Sequence, residues 1–361
     1  MPYRVVQWAT GSVGHVALRA VIEHPDLELV AVLVHDPDKQ GKDAAELAGL
    51  SEPTGIRATT DVDAILGSNA DCVVHAARNT KTTVDEMAQI LEAGFNLVST
   101  ALQPAVYPPT TKSGSRRSID RLALACDKGG VSCFVSGADP GFVTDALPVF
   151  LTSIVGRVDS IRIAEILCYA EYDDADTQFR YFGFGQPMDS PDPPYFAPGR
   201  LARYWGPGVE MVAAGLGVEL DEVREVTERA PAPTRIELPI GSVEAGTVGG
   251  LRFEVQGIVD DEPLVILEHV TRLDRAVAPD WPQPSHPDGC YRIRVDGWPS
   301  YELDLRGADL DASGYEPMEN AAALRVVNAI PLVCDASPGL LSPFDLGLLG
   351  TPGLTARSRR G

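Results

Sequence analysis

The sequence lacks the patterns that mark metal sites, disulfide frameworks and membrane spans. Its six cysteines and six histidines are dispersed over 361 residues without C-x-x-C or H-E-x-x-H spacing. We therefore predict no metal site and expect reduced thiols in a cytoplasmic protein. No apolar run approaches the roughly 20 residues that cross a bilayer. We also expect no signal peptide, because the chain enters a strand at once.

Basic residues are scarce, which argues against two classes of partner. The chain has 30 Lys and Arg against 51 Asp and Glu, for a formal net charge of −21. Such a surface repels phosphates, so we expect neither nucleic acid nor an anionic membrane as a partner. A length of 361 residues predicts two globular domains.

The N-terminal stretch is the most informative part of what is present. Residues 3–8 form an apolar strand pattern, a glycine-containing turn follows, and a helix is predicted from about 13 to 23. This is how a dinucleotide-binding α/β unit begins, although an ordinary tight βα turn gives the same pattern and Ala9 replaces the first glycine of G-x-G-x-x-G. The predicted cofactor contacts in this turn are Thr10, Gly11, Ser12, Val13 and Gly14.

Strand and helix patterns alternate through the first part of the chain. Such alternation predicts a Rossmann-like, doubly wound parallel sheet. The predicted strands are 27–34, 71–75, 96–99 and 131–135, and the predicted helices are 43–50, 62–66, 83–93 and 118–128.

The pattern changes after Gly137. We predict a strand at 157–169, a loop at 183–208, a helix at 209–229, then strands near 234–238, 247–259, 263–273, 291–295 and 300–305. This predicts an α+β second domain on a mainly antiparallel sheet. The predicted domains are a dinucleotide-binding domain, 1–137, joined by a C-terminal helical segment, about 316–361, and a substrate-binding and dimerisation domain, 138–315.

The end of the second strand decides between NAD and NADP. NAD sites usually place an acidic residue there to bind the ribose hydroxyls. If the strand ends at Val34, then His35, Lys39 and Lys42 can meet a 2′-phosphate, whereas Asp36 would favour NAD if it reaches back. We favour NADP, with NAD and a solvated loop as alternatives.

Two further loops follow strand ends on the same side of the predicted sheet. Ala77 leaves room for the cofactor backbone, and Arg78 is predicted to contact phosphate or adenine unless it is only a surface arginine. Thr100 and Ala101 are predicted to reach towards the nicotinamide.

Several motifs now support a family resemblance. Gly11-x-x-Gly14, residues 41–49 and Ser99-Thr100 resemble the N-terminal domain of dihydrodipicolinate reductases. Residues 136–145 resemble the G-x-D-P-G-F-x-x-D element of 2,4-diaminopentanoate dehydrogenases and native amine dehydrogenases. The likeness extends to Trp205, residues 213–217, 268–272 and 325–331.

The resemblance implies reversible oxidative deamination, in which a hydride passes between an amine carbon and NAD(P). It also implies a glutamate just after the strand that ends at Ser99. This sequence has no carboxylate from 101 to 108, and Gln103 occupies that stretch. A neutral amide can hydrogen-bond an amine but cannot act as a base near neutral pH.

Other side chains are candidates for catalysis and for the substrate pocket. Asp139 can supply a carboxylate unless it only holds a turn, and Tyr172 can donate to a carbonyl or imine unless it only packs. Glu268 and His269 should point to opposite faces of a strand, where a structural role is the simpler explanation. The predicted substrate pocket is lined by Tyr107, Phe142, Tyr169 and Phe179.

The sequence therefore predicts an NADPH-dependent, amine dehydrogenase-like oxidoreductase of small hydrophobic ketones or aldehydes, acting as a homodimer. A carbonyl or ene reductase on the same scaffold is one alternative. A non-catalytic NADP-binding sensor is the alternative from another class.

Overall fold

The computed structural model describes residues 1–287, 289–308, 316–351 and 354, without the side chains of residues 316 and 317. It divides into two compact units. Unit 1 comprises Met1–Pro109, Ser115–Phe142 and Glu319–Gly361, and unit 2 comprises Thr110–Gly114 and Val143–Met318. The end of the predicted C-terminal segment, residues 355–361, lies outside the described residues.

Strands and helices alternate in unit 1, whereas strands dominate unit 2. In chain order the regular elements are β1 (Tyr3–Trp8), α1 (Ser12–Glu23), β2 (Leu27–Leu33), α2 (Ala44–Leu47), α3 (Val62–Leu66), β3 (Cys72–His75), α4 (Thr83–Glu92), β4 (Asn96–Ser99), α5 (Arg116–Gly129), β5 (Ser132–Val135), α6 (Ala146–Leu151), β6 (Arg157–Cys168), α7 (Arg200–Gly215), β7 (Glu222–Pro231), β8 (Ile236–Leu238), β9 (Gly241–Val243), β10 (Val248–Val259), β11 (Glu262–Arg272), β12 (Cys290–Trp298), β13 (Tyr301–Leu305), α8 (Glu316–Asp335), β14 (Gly339–Leu341) and α9 (Pro343–Leu346).

Unit 1 is built on a parallel six-stranded sheet in the order β14-β5-β4-β3-β1-β2. Apolar residues of α1 and α8 cover one face, and those of α4 and α5 cover the other. Strands buried on both faces need the near-continuous apolar runs seen in the sequence. The predicted Rossmann-like architecture is confirmed.

Local sequence signals fix several helix ends in unit 1. The Asp61 side chain accepts a hydrogen bond from Ala64 N at 3.0 Å and caps α3. Gly130 ends α5 in the left-handed region, at φ 66°, which glycine adopts without a steric penalty. Asp61 therefore marks where α3 begins, and Gly130 marks where α5 ends before β5.

Unit 2 is built on a six-stranded mixed sheet in the order β13-β12-β6-β11-β10-β7. Only β6 and β11 pair in parallel, and the other neighbouring strands are antiparallel. The predicted mainly antiparallel second sheet is therefore confirmed. The strands β8 and β9 form a separate small antiparallel hairpin.

Two sequence predictions in unit 2 are wrong. The predicted loop at 183–208 contains the first half of α7, which continues through Pro207. The predicted helix at 209–229 ends at Gly215, and β7 then pairs with β10 over residues 222–231. The Glu and Arg residues of this edge strand have strong helix propensity, but its partner strand supplies backbone hydrogen bonds that outweigh local preference.

Among the helices of the described ranges, none combines the length and apolar character that a bilayer span needs.

Candidate functional site

The turn after β1 and the start of α1 lie so close together that only glycine fits at their contact. Ala9 lies in the left-handed region at φ 72°. Its N–H donates to Leu33 O at 2.9 Å, and its carbonyl accepts from Gln7 Nε2 at 2.8 Å. A Cβ built on Gly14 would stand 2.4 Å from that carbonyl oxygen, so Gly14 allows α1 to pack directly against the turn.

The start of α1 is open towards a ligand. Gly11 is its N-cap residue and makes no side-chain cap, so the first amide groups of the helix keep their capacity to bind an anion. A Cβ on Gly11 would meet no atom within 4 Å among the described residues. The space in front of this glycine is part of a cleft in unit 1.

This cleft, which we call the glycine-loop cleft, has a volume of about 370 Å³ and lies where β1, β2 and β3 end. That is where dinucleotides bind in sheets of this type. It includes six of the predicted cofactor residues: Thr10, Gly11, His35, Lys39, Ala77 and Arg78. The other lining residues are Ala9, Val34, Asp36, Ala76, Thr80, Thr82 and Glu86. Ser12, Val13, Gly14, Thr100 and Ala101 do not line it.

Two cations line the glycine-loop cleft without a carboxylate partner among the described residues. Lys39 Nζ donates to the Thr10 carbonyl at 2.7 Å and lies 3.3 Å from Thr10 Oγ1, so its charge remains unneutralised. The Arg78 guanidinium is exposed on the same wall. Asp36 uses one carboxylate oxygen to accept from Asp38 N at 3.0 Å. The cleft therefore offers positive charge beside the turn, with one partly engaged carboxylate.

A buried histidine supports a second acidic residue of the cleft. His75 at the end of β3 is fully buried, and its Nδ1 lies 3.0 Å from Ser99 Oγ. Its Nε2 lies 3.7 Å from a carboxylate oxygen of Glu86. The nearby imidazole of His75 lowers the pKa of Glu86, which keeps this carboxylate anionic at the wall of the cleft.

The side-chain amide of Gln103 forms hydrogen bonds to two loops. Its Oε1 accepts from Asn79 Nδ2 at 2.6 Å, and its Nε2 donates to Thr100 O at 3.5 Å. Asn79 Oδ1 in turn accepts from Leu102 N at 2.7 Å. The amide of Gln103 thus ties the loop after β4 to the loop after β3, and both ends of the amide are occupied.

The remaining candidates of unit 1 are Asp139 and Phe142, which follow β5, and Tyr107, which precedes α5. Asp139 precedes Pro140 in a cis peptide bond. In the next turn a Cβ on Gly141 would stand 2.1 Å from Gly137 N, and its φ is 132°. The Phe142 ring lies 5.1 Å from the Arg325 guanidinium. The Tyr107 ring meets Phe344 edge-on, with centroids 6.3 Å apart.

The aromatic candidates of unit 2 fall into two places. Tyr169 and Tyr172 pack together with ring centroids 5.3 Å apart, and Gln178 Nε2 donates to both of their carbonyls. Phe179 instead lies beside Gly241, where an added Cβ would approach its ring to 3.3 Å. Of the three candidates in unit 2, the structure brings together only the two tyrosines.

A buried carboxylate–histidine pair stands beside Tyr169 and was missed by sequence reasoning. Glu165 on β6 lies directly opposite His269 on β11, with Oε1 3.2 Å from Nδ1. Tyr169 OH donates to Glu165 Oε1 at 3.1 Å, and Tyr291 OH donates to Oε2 at 2.5 Å. Burial raises the pKa of Glu165, but His269 and the two hydroxyls outweigh it and hold the pKa below its ordinary value.

A sequence signal for Glu165 exists in its strand. Ile161, Ile163 and Leu167 share one face of β6 and are buried, and Glu165 interrupts that apolar row. A carboxylate in an apolar row must be paired or functional. The same face of β11 carries His269.

Glu268 points to the other face of the sheet, as expected for a strand. It accepts from Arg162 Nη1 at 2.7 Å and from Arg252 Nε at 2.6 Å. Arg162 also donates to Glu254 at 2.8 Å. This face therefore carries a neutralised charge network, whereas the His269 face carries the carboxylate–imidazole pair.

Comparisons with known proteins give the family. The dihydrodipicolinate reductase N-terminus profile matches residues 5–105, and the 2,4-diaminopentanoate dehydrogenase C-terminal domain profile matches residues 142–352. An amine dehydrogenase of Streptomyces virginiae is 38% identical over 358 residues, 98% of this chain and 99% of that protein. The chain belongs to the amine dehydrogenase and 2,4-diaminopentanoate dehydrogenase family.

More distant relatives agree with this membership. The 2,4-diaminopentanoate dehydrogenase of Acetoanaerobium sticklandii is 25% identical over 314 residues, 82% of this chain and 80% of that protein. The structure of the amine dehydrogenase from Mycobacterium smegmatis has the same fold, with a TM-score of 0.76, 18% identity and 97% of each chain covered. The predicted resemblance is confirmed, and the chain is an oxidoreductase of the amine dehydrogenase type that acts on C–N bonds. Its family depends on a pyridine nucleotide.

Proposed function

We propose that this amine dehydrogenase homologue interconverts a small hydrophobic ketone or aldehyde plus ammonia with the amine, using NADPH. Full-length similarity to an amine dehydrogenase is the observation that carries the reaction class. The aromatic residues around Tyr169 and Tyr172 support an apolar substrate. Unit 1 is proposed to bind the dinucleotide and unit 2 the substrate.

The glycine-loop cleft fits a dinucleotide. A Cβ on Gly11 would fill the place where the pyrophosphate is expected to approach, and the first amides of α1 have no side-chain cap. We propose Thr10, Gly11, Ser12, Val13, Gly14, His35, Lys39, Ala77, Arg78, Thr100 and Ala101 as the cofactor residues. When bound, the nicotinamide supplies the hydride donor or acceptor.

Unneutralised Lys39 and exposed Arg78 support a preference for the 2′-phosphate of NADP. The carboxylates of Asp36 and Glu86 oppose it, so neutralising one charge at a time is the sharp test. Asp36→Asn should raise kcat/KM for NADPH relative to NADH, and Lys39→Met should lower it. An NADH preference in the wild type that Lys39→Met leaves unchanged would refute the NADP proposal.

Asp139 and Tyr172 remain proposed catalytic residues, Gln103 becomes a proposed positioning residue, and Tyr107, Phe142, Tyr169 and Phe179 remain proposed pocket residues. The bonds of Gln103 to Asn79 and Thr100 support a positioning role for its amide. Tyr172 contacts Tyr169 beside the Glu165 carboxylate, which supports a place near the substrate.

We also propose a cytoplasmic homodimer. The six cysteines are free thiols, as in a reducing compartment. On the ion-paired face of the second sheet, the arginines Arg162 and Arg252 remain partly exposed, which supports an interface between two copies. Light scattering across a range of protein concentrations tests the dimer, and a monomer at micromolar concentration would contradict it.

The reaction is tested by following NADPH oxidation with a panel of small hydrophobic ketones and aldehydes at alkaline pH. Each substrate is measured with and without ammonium, and with NADH in parallel. Turnover that requires ammonium supports the amine dehydrogenase proposal. Equal turnover without ammonium would instead assign a carbonyl reductase.

A further inference from the structure

We propose that the carboxylate of Glu86 recognises the adenine base of the dinucleotide by accepting a hydrogen bond from its 6-amino group. This role of Glu86 rests on the proposed function, because it belongs to the proposed dinucleotide site. Glu86 lines the glycine-loop cleft, and every residue that supports its role lies in unit 1. The site would thereby distinguish adenine from a base that carries an oxygen at the same position.

The sheet order favours the adenosine half of the dinucleotide as the occupant of the glycine-loop cleft. The chain runs from β1 to β2 on one side and from β3 through β4 to β5 on the other, so the switch point lies between β1 and β3. The pyrophosphate is expected there, beside Gly11 and the first amides of α1. Thr100 and Ala101, on the proposed nicotinamide side after β4, do not line the cleft. The β2 side is therefore left for the adenosine half.

Within the cleft, the ribose and the base are expected at different walls. The end of β2, with Val34, His35 and Asp36, is where the adenosine ribose binds in sheets of this type. Glu86 belongs to the first turn of α4, on the wall that follows β3. With the pyrophosphate at the turn after β1 and the ribose at the end of β2, the wall of Glu86 is left for the base.

A carboxylate only accepts hydrogen bonds, which restricts what Glu86 can recognise. The phosphates of the adenosine half bring acceptor oxygens and negative charge, so this carboxylate repels them. The ribose hydroxyls are donors, but they are expected at the wall formed by the end of β2. The 6-amino group of adenine is the donor that remains.

The Glu86 carboxylate is held in place and keeps free acceptor capacity. Its Oε1 accepts from Thr82 Oγ1 at 3.1 Å, and its Oε2 lies 3.7 Å from Nε2 of the buried His75. Ser99 Oγ accepts from Ala101 N at 3.0 Å, which leaves the hydroxyl proton for His75 Nδ1, also 3.0 Å away. The ring proton then stands on Nε2 and faces Glu86. The Glu86 side chain is 29% exposed, and its two oxygens together accept about four hydrogen bonds.

The first turn of α4 carries two acidic residues, which allows recognition to be separated from helix stability. Asp85 and Glu86 both lie near the helix N-terminus, where negative charge is stabilising. Asp85 is exposed and does not line the glycine-loop cleft. Asp85→Asn is therefore the matched control, because it removes the same charge from the neighbouring position and leaves the cleft wall intact.

The test compares the dissociation constants of NADPH and of its hypoxanthine analogue, in which an oxygen replaces the 6-amino group. Both ligands carry the same charge, so the ratio of their constants is insensitive to the general electrostatic effect of losing a carboxylate. The full-length protein and the variants Glu86→Gln, Glu86→Asp and Asp85→Asn are titrated by the fluorescence of the reduced nicotinamide. NADH and its hypoxanthine analogue are measured in parallel, and thermal unfolding checks that each variant is folded.

We expect the wild type to bind NADPH about tenfold or more tightly than the analogue, because the oxygen of the analogue leaves the carboxylate without a donor. In Glu86→Gln the ratio should fall to about threefold or less, since an amide can donate to that oxygen. Glu86→Asp withdraws the carboxylate by one methylene and should lower the ratio as well. Asp85→Asn should keep the wild-type ratio.

Two results separate the failures. Wild-type protein that binds neither NADPH nor NADH would overturn the proposed dinucleotide site, and the role of Glu86 with it. Dinucleotide binding with equal affinity for both bases, or with a ratio that Glu86→Gln leaves unchanged, would overturn the role of Glu86 alone. If Glu86→Gln does not fold, Glu86→Asp decides, and an unchanged ratio in that variant overturns the role.

Discussion

Replacing Gly14 by alanine tests whether α1 must touch the turn after β1. The new Cβ would lie 2.4 Å from Ala9 O, 3.0 Å from Ala9 C and 3.5 Å from Ala76 Cβ. An ordinary C···O contact is about 3.4 Å, so the helix start or the turn must move by roughly 1 Å. Ala9 resists this movement because Leu33 and Gln7 hold both of its backbone groups.

Such overpacking costs about 1–3 kcal/mol in well-packed sites. We expect the free energy of unfolding to fall by that amount in Gly14→Ala, measured by urea denaturation. Since the first amides of α1 move with the turn, the dissociation constant for the dinucleotide should rise by about tenfold or more, as 1.4 kcal/mol corresponds to tenfold.

Gly11→Ala is the matched control. Its Cβ meets no described atom within 4 Å and its φ is −74°, so stability should stay within about 1 kcal/mol of the wild type. The methyl group enters the glycine-loop cleft, so dinucleotide binding should still weaken. Wild-type stability in Gly14→Ala, or wild-type dinucleotide affinity in Gly11→Ala, would refute the account of this turn.

Three further predictions concern side chains that hold loops. Gln103→Ala should cost about 1 kcal/mol of stability and lower kcat less than tenfold, because Gln103 positions a loop; a 10²-fold loss of kcat in steady-state assays would contradict this. Glu210→Gln should lower the free energy of unfolding by about 2 kcal/mol in urea, since its carboxylate accepts from Thr110, Thr111, Lys112 and Ser113; an unchanged midpoint would contradict it. Asp43 has a pKa lowered to about 2, chiefly by the backbone amides of Ala45 and Thr54. A depressed folded-state pKa stabilises above the unfolded value, so the stability difference between wild type and Asp43→Ala should shrink as pH falls from about 4 to 2. A difference that persists at pH 2 would contradict this.

Much of unit 1 is predictable because its signals are local. Apolar runs, Asp61 and Gly130 mark strand and helix ends within a few residues. The edge strand β7 of unit 2 is not predictable from local signals. Its Glu and Arg residues favour a helix, and its pairing with β10 is visible only in three dimensions. Pro207 likewise indicates a loop, although α7 continues through it.

The candidate site likewise has a part that the sequence predicts and a part that only the three-dimensional structure reveals. The glycine turn follows from a motif, and the cleft contains six of the residues predicted to bind the cofactor. The bonds of Gln103 to Asn79 join two separate loops, and no spacing rule connects them. Glu165 and His269 meet through the register of β6 and β11, 104 positions apart along the chain. An acidic residue in the apolar row of β6 was the available signal.

The central claim is that the protein joins ammonia to a ketone to form an amine. The most direct test is to follow whether nitrogen from ammonium enters the product. A small hydrophobic ketone is incubated with the protein, NADPH and isotopically heavy ammonium, and the product is identified by mass spectrometry. We expect the amine with the heavy nitrogen incorporated and one NADPH oxidised for each amine formed. An alcohol that forms equally well without ammonium would contradict it.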